Sequence, residues 1–169
     1  KMLRKRINNF ILVILSVFAI MSVIDLPISL FKIFKLEQSY GFNKMTAKIF
    51  FLDLIKSTLM GLVIGTPLIL LVLWIMQSTG TYWWIYVWVT WLSFSLLMMW
   101  AYPAFIAPLF NKFRILENNE LKMRIENLLT RNGFKSNGIF VMDGSTRSTH
   151  GNAYFTGLGA NKRIVFFDT

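Results

Sequence analysis

Apolar positions in this chain fall into three long runs, and only beyond them do short amphipathic and alternating stretches begin. The first run, residues 7 to 30, is dominated by Ile, Leu, Val and Phe up to Asp25 and closes on Asp25-Leu26-Pro27. The second, residues 49 to 76, carries Asp53 and Lys56 on one helical face near its start and Pro67 in its middle. The third, residues 82 to 102, is the richest in aromatic rings. From residue 57 to residue 111 there is no Asp, Glu, Lys or Arg, an uninterrupted stretch of 55 residues. As one helix it would reach about 80 Å, against a hydrocarbon core of about 30 Å, so it must fold back once. The polar cluster Gln77-Ser78-Thr79-Gly80-Thr81 marks where. The pattern predicts three transmembrane helices.

After Ala101-Tyr102-Pro103 the character changes. Asn118 is placed to cap a helix over residues 119 to 132, with Leu121, Ile125, Leu128 and Leu129 on one face and Gly133 as its stop. Residues 138 to 142 read as a buried strand ended by Asp143-Gly144-Ser145. Two further strands, 153 to 158 and 163 to 168, are joined by Gly159-Ala160-Asn161-Lys162 as a hairpin. The fold class expected is a mainly α membrane protein. Its transmembrane region fills residues 1 to 110, and a small cytoplasmic α/β segment begins at residue 111.

Composition sharpens this reading. The chain has 169 residues, 55% of them hydrophobic and only 15% charged, where a soluble domain carries about 25%. All six Trp lie in the uncharged stretch. Trp74, Tyr82, Trp83, Trp84 and Tyr86 cluster at the second turn, with Trp100 and Tyr102 at the far end, as aromatic belts at two interfaces do. The formal net charge of +10 raises the question of nucleic acid, but its placement argues against that partner. Lys32, Lys35, Lys44 and Lys48 fill the first loop against Glu37 alone, as the positive-inside rule and anionic lipid surfaces favour. That loop and everything after the third span are therefore expected in the cytoplasm, with the uncharged second turn on the other side. Lys1, Arg4, Lys5 and Arg6 then fall on the wrong side, and the expectation is that residue 1 is not a natural terminus.

Candidate chemistry is sparse. A catalytic zinc needs about three protein ligands and an open water position. This chain has one His, His150, and no Cys, and it carries no His-Glu-x-x-His helix, phosphate-binding loop or nucleophile elbow. No metal ligand and no catalytic residue is expected within it.

Three stretches nevertheless carry a resemblance: SLFKIFKLEQSYGFNKMT, PAFIAPLFNKFRILENNELK, and IFVMDGSTRSTHGNAYFTGLGANKRIVFFDT. Together they closely resemble the type I CAAX prenyl protease family, integral-membrane zinc metallopeptidases that include the enzymes of yeast and human prelamin processing and bacterial relatives. The resemblance runs from about residue 25 onward. It implies seven membrane helices around an interior chamber, of which the three spans here would be the third to fifth. It implies zinc in the complete protein, held by a His-Glu-x-x-His helix and a later Glu that lie beyond Thr169. This chain alone is accordingly expected to be inactive and to need the C-terminal part of the same protein. The implied setting is a bacterial inner membrane or the endoplasmic reticulum and inner nuclear membrane. The implied partners are a lipid bilayer and a peptide substrate.

In metallopeptidases of this kind an edge strand beside the zinc commonly binds the substrate backbone as an added strand. The expected strand here is Asn152-Ala153-Tyr154-Phe155, with Asn152 bonding the peptide and small Ala153 allowing close approach. His150 and Arg147 precede it and rank lower. The alternative is that Asn152 ends a turn while Tyr154 and Phe155 pack the hairpin. Two other functional readings stay open: an inactive membrane scaffold, and a transporter bundle in which Asp25, Asp53 and Lys56 line a polar path.

Overall fold

A computed structural model of the chain describes residues 2–157 and 162–169, with side chains from residue 9 onward. Helix α1 (Met2–Phe31) passes into a π-helical stretch, Lys32–Glu37. Helix α2 (Ala47–Ser78) runs through Pro67 without a break. Helix α3 (Trp83–Ala101) continues through a π turn, Tyr102–Ile106, into α4 (Ala107–Phe110). Three helical stretches are long and apolar enough to cross a bilayer: Asn9–Glu37, Ala47–Ser78 and Gly80–Phe110. Almost none of their surface is buried within the chain. Such faces need lipid or further helices against them. Hydroxyls on the first two spans bond backwards within their own helix: Ser16 to the Leu12 carbonyl at 2.7 Å, Ser22 to Phe18 at 2.9 Å, Thr58 to Leu54 at 2.8 Å. An apolar surrounding demands that economy of polar groups.

The third helical stretch outruns the stop expected near Tyr102. Proline removes one amide and crowds the preceding turn. The wider π turn at Tyr102–Ile106 absorbs Pro103, and the helix proceeds to Phe110.

The chain divides into two compact units. One comprises residues 1–41 and 47–94, and the other residues 42–46 and 95–169. The second holds a four-stranded sheet in the order β1-β2-β4-β3, built from β1 (Phe113–Ile115), β2 (Ile139–Met142), β3 (Ala153–Thr156) and β4 (Arg163–Phe167). Only β2 and β4 run parallel; β1 on β2 and β3 on β4 are antiparallel. Strand β1 had no counterpart in the sequence reading. Residue 158 and most of the expected hairpin turn, residues 159 to 161, lie outside the described residues.

Register puts Phe113, Phe140, Met142, Tyr154, Val165 and Phe167 on one face of the sheet. That face is the denser one. Val165 is fully buried, and the Arg163 guanidinium spans the Phe113 and Phe140 rings at 5.6 and 5.7 Å. The opposite face presents Phe155 to Phe134, whose rings meet at 4.7 Å. Phe134 follows helix α5 (Asn119–Arg131), which the Asn118 side chain caps through the Leu121 amide at 3.0 Å. At the other end Gly133 turns left-handed (φ 66°), and Phe134 N–H donates to the Leu129 carbonyl.

Two carboxylates close the sheet's end. Asp143 accepts from the Lys112 amide at 2.8 Å while its own amide donates back to the Lys112 carbonyl, pinning β1 to β2. Asp168 accepts from both the amide and the hydroxyl of Ser145, at 2.8 and 2.9 Å. Burial works to raise the Asp168 carboxyl, but the Ser145 bonds outweigh it and hold the group below the usual carboxylate range. Gly144, between these groups, is buried against Phe167; a Cβ there would lie 2.7 Å from the ring's Cδ2 and 3.1 Å from Cγ.

Two outcomes follow. Gly144→Ala should destabilise the sheet unit by about 1–3 kcal/mol, because the atoms it strikes are the root of the ring and not its tip; a thermal melt followed by near-ultraviolet circular dichroism checks this. Asp168→Asn should lower the melting temperature at pH 7. A depressed folded value means the stabilisation is complete above the unfolded carboxylate value of about 3.9 and fades as pH falls through the folded one. Melts of the two proteins should therefore converge as pH falls through the depressed folded value of Asp168.

Candidate functional site: a sheet edge

Among the described residues, strand β3 is the outermost strand of the sheet, with β4 on one side and no strand on the other. Its register decides which backbone groups are free. Ala153 lies opposite Phe166 and Tyr154 opposite Val165, and the Phe167 amide donates to the Asn152 carbonyl at 2.9 Å. In an antiparallel ladder such groups alternate. Residues 152, 154 and 156 therefore turn their N–H and C=O groups to β4, while Ala153 and Phe155 turn theirs outward. The outward groups are two donors and two acceptors at the spacing an added strand requires.

Each sequence-nominated residue has a distinct place. Ala153 is exposed, and its outward amide donates to the Asn152 Oδ1 at 2.8 Å. The side chain of Asn152 therefore caps the edge in this state, and its Nδ2 donor is the part left for a peptide carbonyl. Tyr154 points the other way, into the denser face. Its hydroxyl lies 3.9 Å from the Met142 sulfur and its ring packs edge-on to Phe167. Burial first, then the neighbouring Tyr102, pushes the Tyr154 hydroxyl above its ordinary value against the opposing pull of Arg163, so it is a neutral phenol at physiological pH. Tyr154 thus supports the strand from behind, with its side chain in the denser face and its backbone turned to β4. Phe155 packs on Phe134.

His150 is exposed, three residues before β3, with its ring 4.3 Å from that of Phe42. Arg147 does not face the edge. Its guanidinium donates to the Phe110 carbonyl at 2.7 Å and to the Asn111 side chain at 3.0 Å. Nothing local in the sequence signals that role, because the partners are 37 and 36 residues away. Among the described residues, no group of three His, Cys, Asp or Glu side chains lies close enough to hold a metal ion.

Residues 2–112 match the family described as CAAX prenyl protease N-terminal, five membrane helices, and residues 115–169 match peptidase family M48. The chain is 45% identical over 147 residues to CAAX prenyl protease 1 homolog of Arabidopsis thaliana, covering 87% of this chain and 35% of that protein. Against CAAX prenyl protease 1 of Saccharomyces cerevisiae it is 46% identical over 149 residues, covering 88% and 33%. The crystal structure of S. mikatae Ste24p superposes with a TM-score of 0.84 at 47% identity, over 91% of this chain and 36% of that one. The chain spans about a third of the length of the curated relatives it matches. With three membrane-crossing helices followed by a small mixed sheet, it belongs to the CAAX prenyl protease family of integral-membrane peptidases.

Proposed function

We propose that the complete protein is a membrane-embedded zinc endopeptidase that cleaves prenylated or other membrane-associated peptides, and that this chain supplies its substrate-holding strand. The observation that carries the second part is the free edge of β3, with the N–H and C=O groups of Ala153 and Phe155 turned outward. A peptide added there is held by its backbone, which suits an enzyme that must grip varied sequences. Exposed, small Ala153 leaves the approach open.

Zinc chemistry finds no seat among these residues. One His and no Cys fall short of the three ligands a catalytic zinc takes, so the metal would be held by parts of the protein outside this chain. The chain alone is therefore inactive in this reading, and its share of the work is binding and orientation. The sheet unit and the loop between the first two spans lie on the cytoplasmic side. Their common side is supported by the pairing of that loop with the segment before β3, and the sign of the side by the loop's lysines.

Two measurements test this. Titrated with zinc, the chain should show no tight one-to-one binding and no cleavage of a farnesylated peptide; sub-micromolar binding at one equivalent would prove the ligand count wrong. Ala153→Pro removes an amide that faces outward and not into the sheet, and an edge strand tolerates proline in that orientation. The variant in lipid nanodiscs should keep the wild-type circular dichroism spectrum while its affinity for a fluorescent farnesylated peptide falls about tenfold. Unchanged affinity would sink the edge-strand reading.

A further inference from the structure

The loop between the first two spans joins the sheet unit by a short backbone ladder. The Lys44 amide donates to the Arg147 carbonyl at 3.1 Å, the Thr149 amide donates to the Phe42 carbonyl at 3.0 Å, and Asn43 and Ser148 sit opposite each other between those bonds as an antiparallel bridge. Asn43 is nearly buried at 8% exposure, and its Oδ1 accepts from the Met45 amide at 2.7 Å, which turns the loop on itself. Beside the ladder the Phe42 ring lies on the His150 ring at 4.3 Å and 31°.

This ladder braces the segment that leads into β3. Residues 147 to 152 connect a short turn (Gly144–Thr146) to β3 without regular structure of their own. At its start the Arg147 and Ser148 amides donate to the Gly144 carbonyl at 3.0 and 3.1 Å, and the Arg147 side chain is fixed to the end of α4. Further on, the His150 amide donates to the Ser148 Oγ at 3.2 Å, Thr169 Oγ1 donates to the His150 carbonyl at 3.3 Å, and the Asn152 carbonyl receives the Phe167 amide. Between Arg147 and Asn152 the loop therefore provides both a backbone partner and a ring. Irregular backbone flanking a strand end frays unless its groups are paired.

We propose that Phe42–Lys44 is a strap whose pairing with residues 147–149, and whose Phe42 ring on His150, hold the entry to β3 in register, making Phe42 a positioning residue for the peptide-binding edge. The consequence for peptide rests on the edge-strand reading given above; the strap itself does not. The Phe42 ring meets His150, two residues before the Asn152 that caps the edge.

Hydrogen exchange read by mass spectrometry on the full 169-residue chain in nanodiscs decides it. Phe42→Ala should raise exchange across residues 148–153 about tenfold, leave the β2 and β4 amides unchanged, and be rescued by Phe42→Tyr, which keeps the ring. Lys44→Pro, which deletes the donor to Arg147, should reproduce the effect without touching either ring. Unaltered exchange at residues 148–153 in both variants would overturn the strap. So would an increase spread evenly over the whole sheet, the sign of general loosening. A wild-type chain that binds no peptide at β3 would instead refute the edge-strand reading, while the exchange pattern still decides the strap.

Discussion

What organises the sheet unit is the need to satisfy backbone where the third helical stretch ends. The last carbonyls of a helix have no intrahelical donors, and an aqueous or protein group must replace them. Here the replacement is Arg147, which donates to the Phe110 carbonyl and the Asn111 side chain from a position beyond the second strand. A planar guanidinium can serve two acceptors at once, which an ammonium on a flexible stem does less well. The same residue's carbonyl accepts from Lys44. One side chain and one carbonyl thus gather the helix end, the inter-span loop and the segment leading to β3. Removing the guanidinium would release the helix end, while the backbone bond to Lys44 would remain.

From that node the sheet is assembled by pairs rather than by a large core. Few side chains in it are fully buried, Val165 and Ile139 foremost. The remainder is held by Asp143 on the Lys112 amide, Asp168 on Ser145, and Arg163 laid across two rings. A compact unit with so little apolar interior depends on each such bond more than a large domain does. The tight fit of Gly144 on Phe167 belongs to the same economy.

The membrane part was legible because lipid imposes one rule everywhere: no charge, and every amide bonded within its helix. A gap of 55 uncharged residues with one polar break states two spans directly. The end of the third span was not legible, since Pro103 looks like a stop and only the π turn around it shows how the helix continues. Strand β1 escaped because Phe113-Arg114-Ile115 is three residues long and gains its identity from pairing with β2. Strand β3 could be read as a strand, but its place at the edge follows from the parallel pairing of β2 with β4, a contact no local pattern encodes. Tyr154 was nominated beside Asn152 and Ala153; alternation of side chains sends it into the sheet's denser face. Likewise Arg147 and the Phe42–His150 stack join residues far apart in sequence, where composition and spacing are silent.

A free strand edge is a hazard as well as a tool, because any extended chain can pair with it. In this structure the Asn152 Oδ1 already takes the Ala153 amide, so one of the edge's two outward donors is satisfied from within. That bond is short-range and made by a side chain, so exchanging it for a peptide carbonyl leaves the number of hydrogen bonds unchanged. It also frees the Asn152 amide to reorient toward the incoming strand. The cap lowers the net gain from binding an arbitrary chain, and a peptide able to use both Ala153 and the released Asn152 recovers it. In the proposed role, Asn152 therefore sets a threshold on what the edge accepts. Selectivity of this kind comes from strand geometry and needs no pocket for a particular side chain.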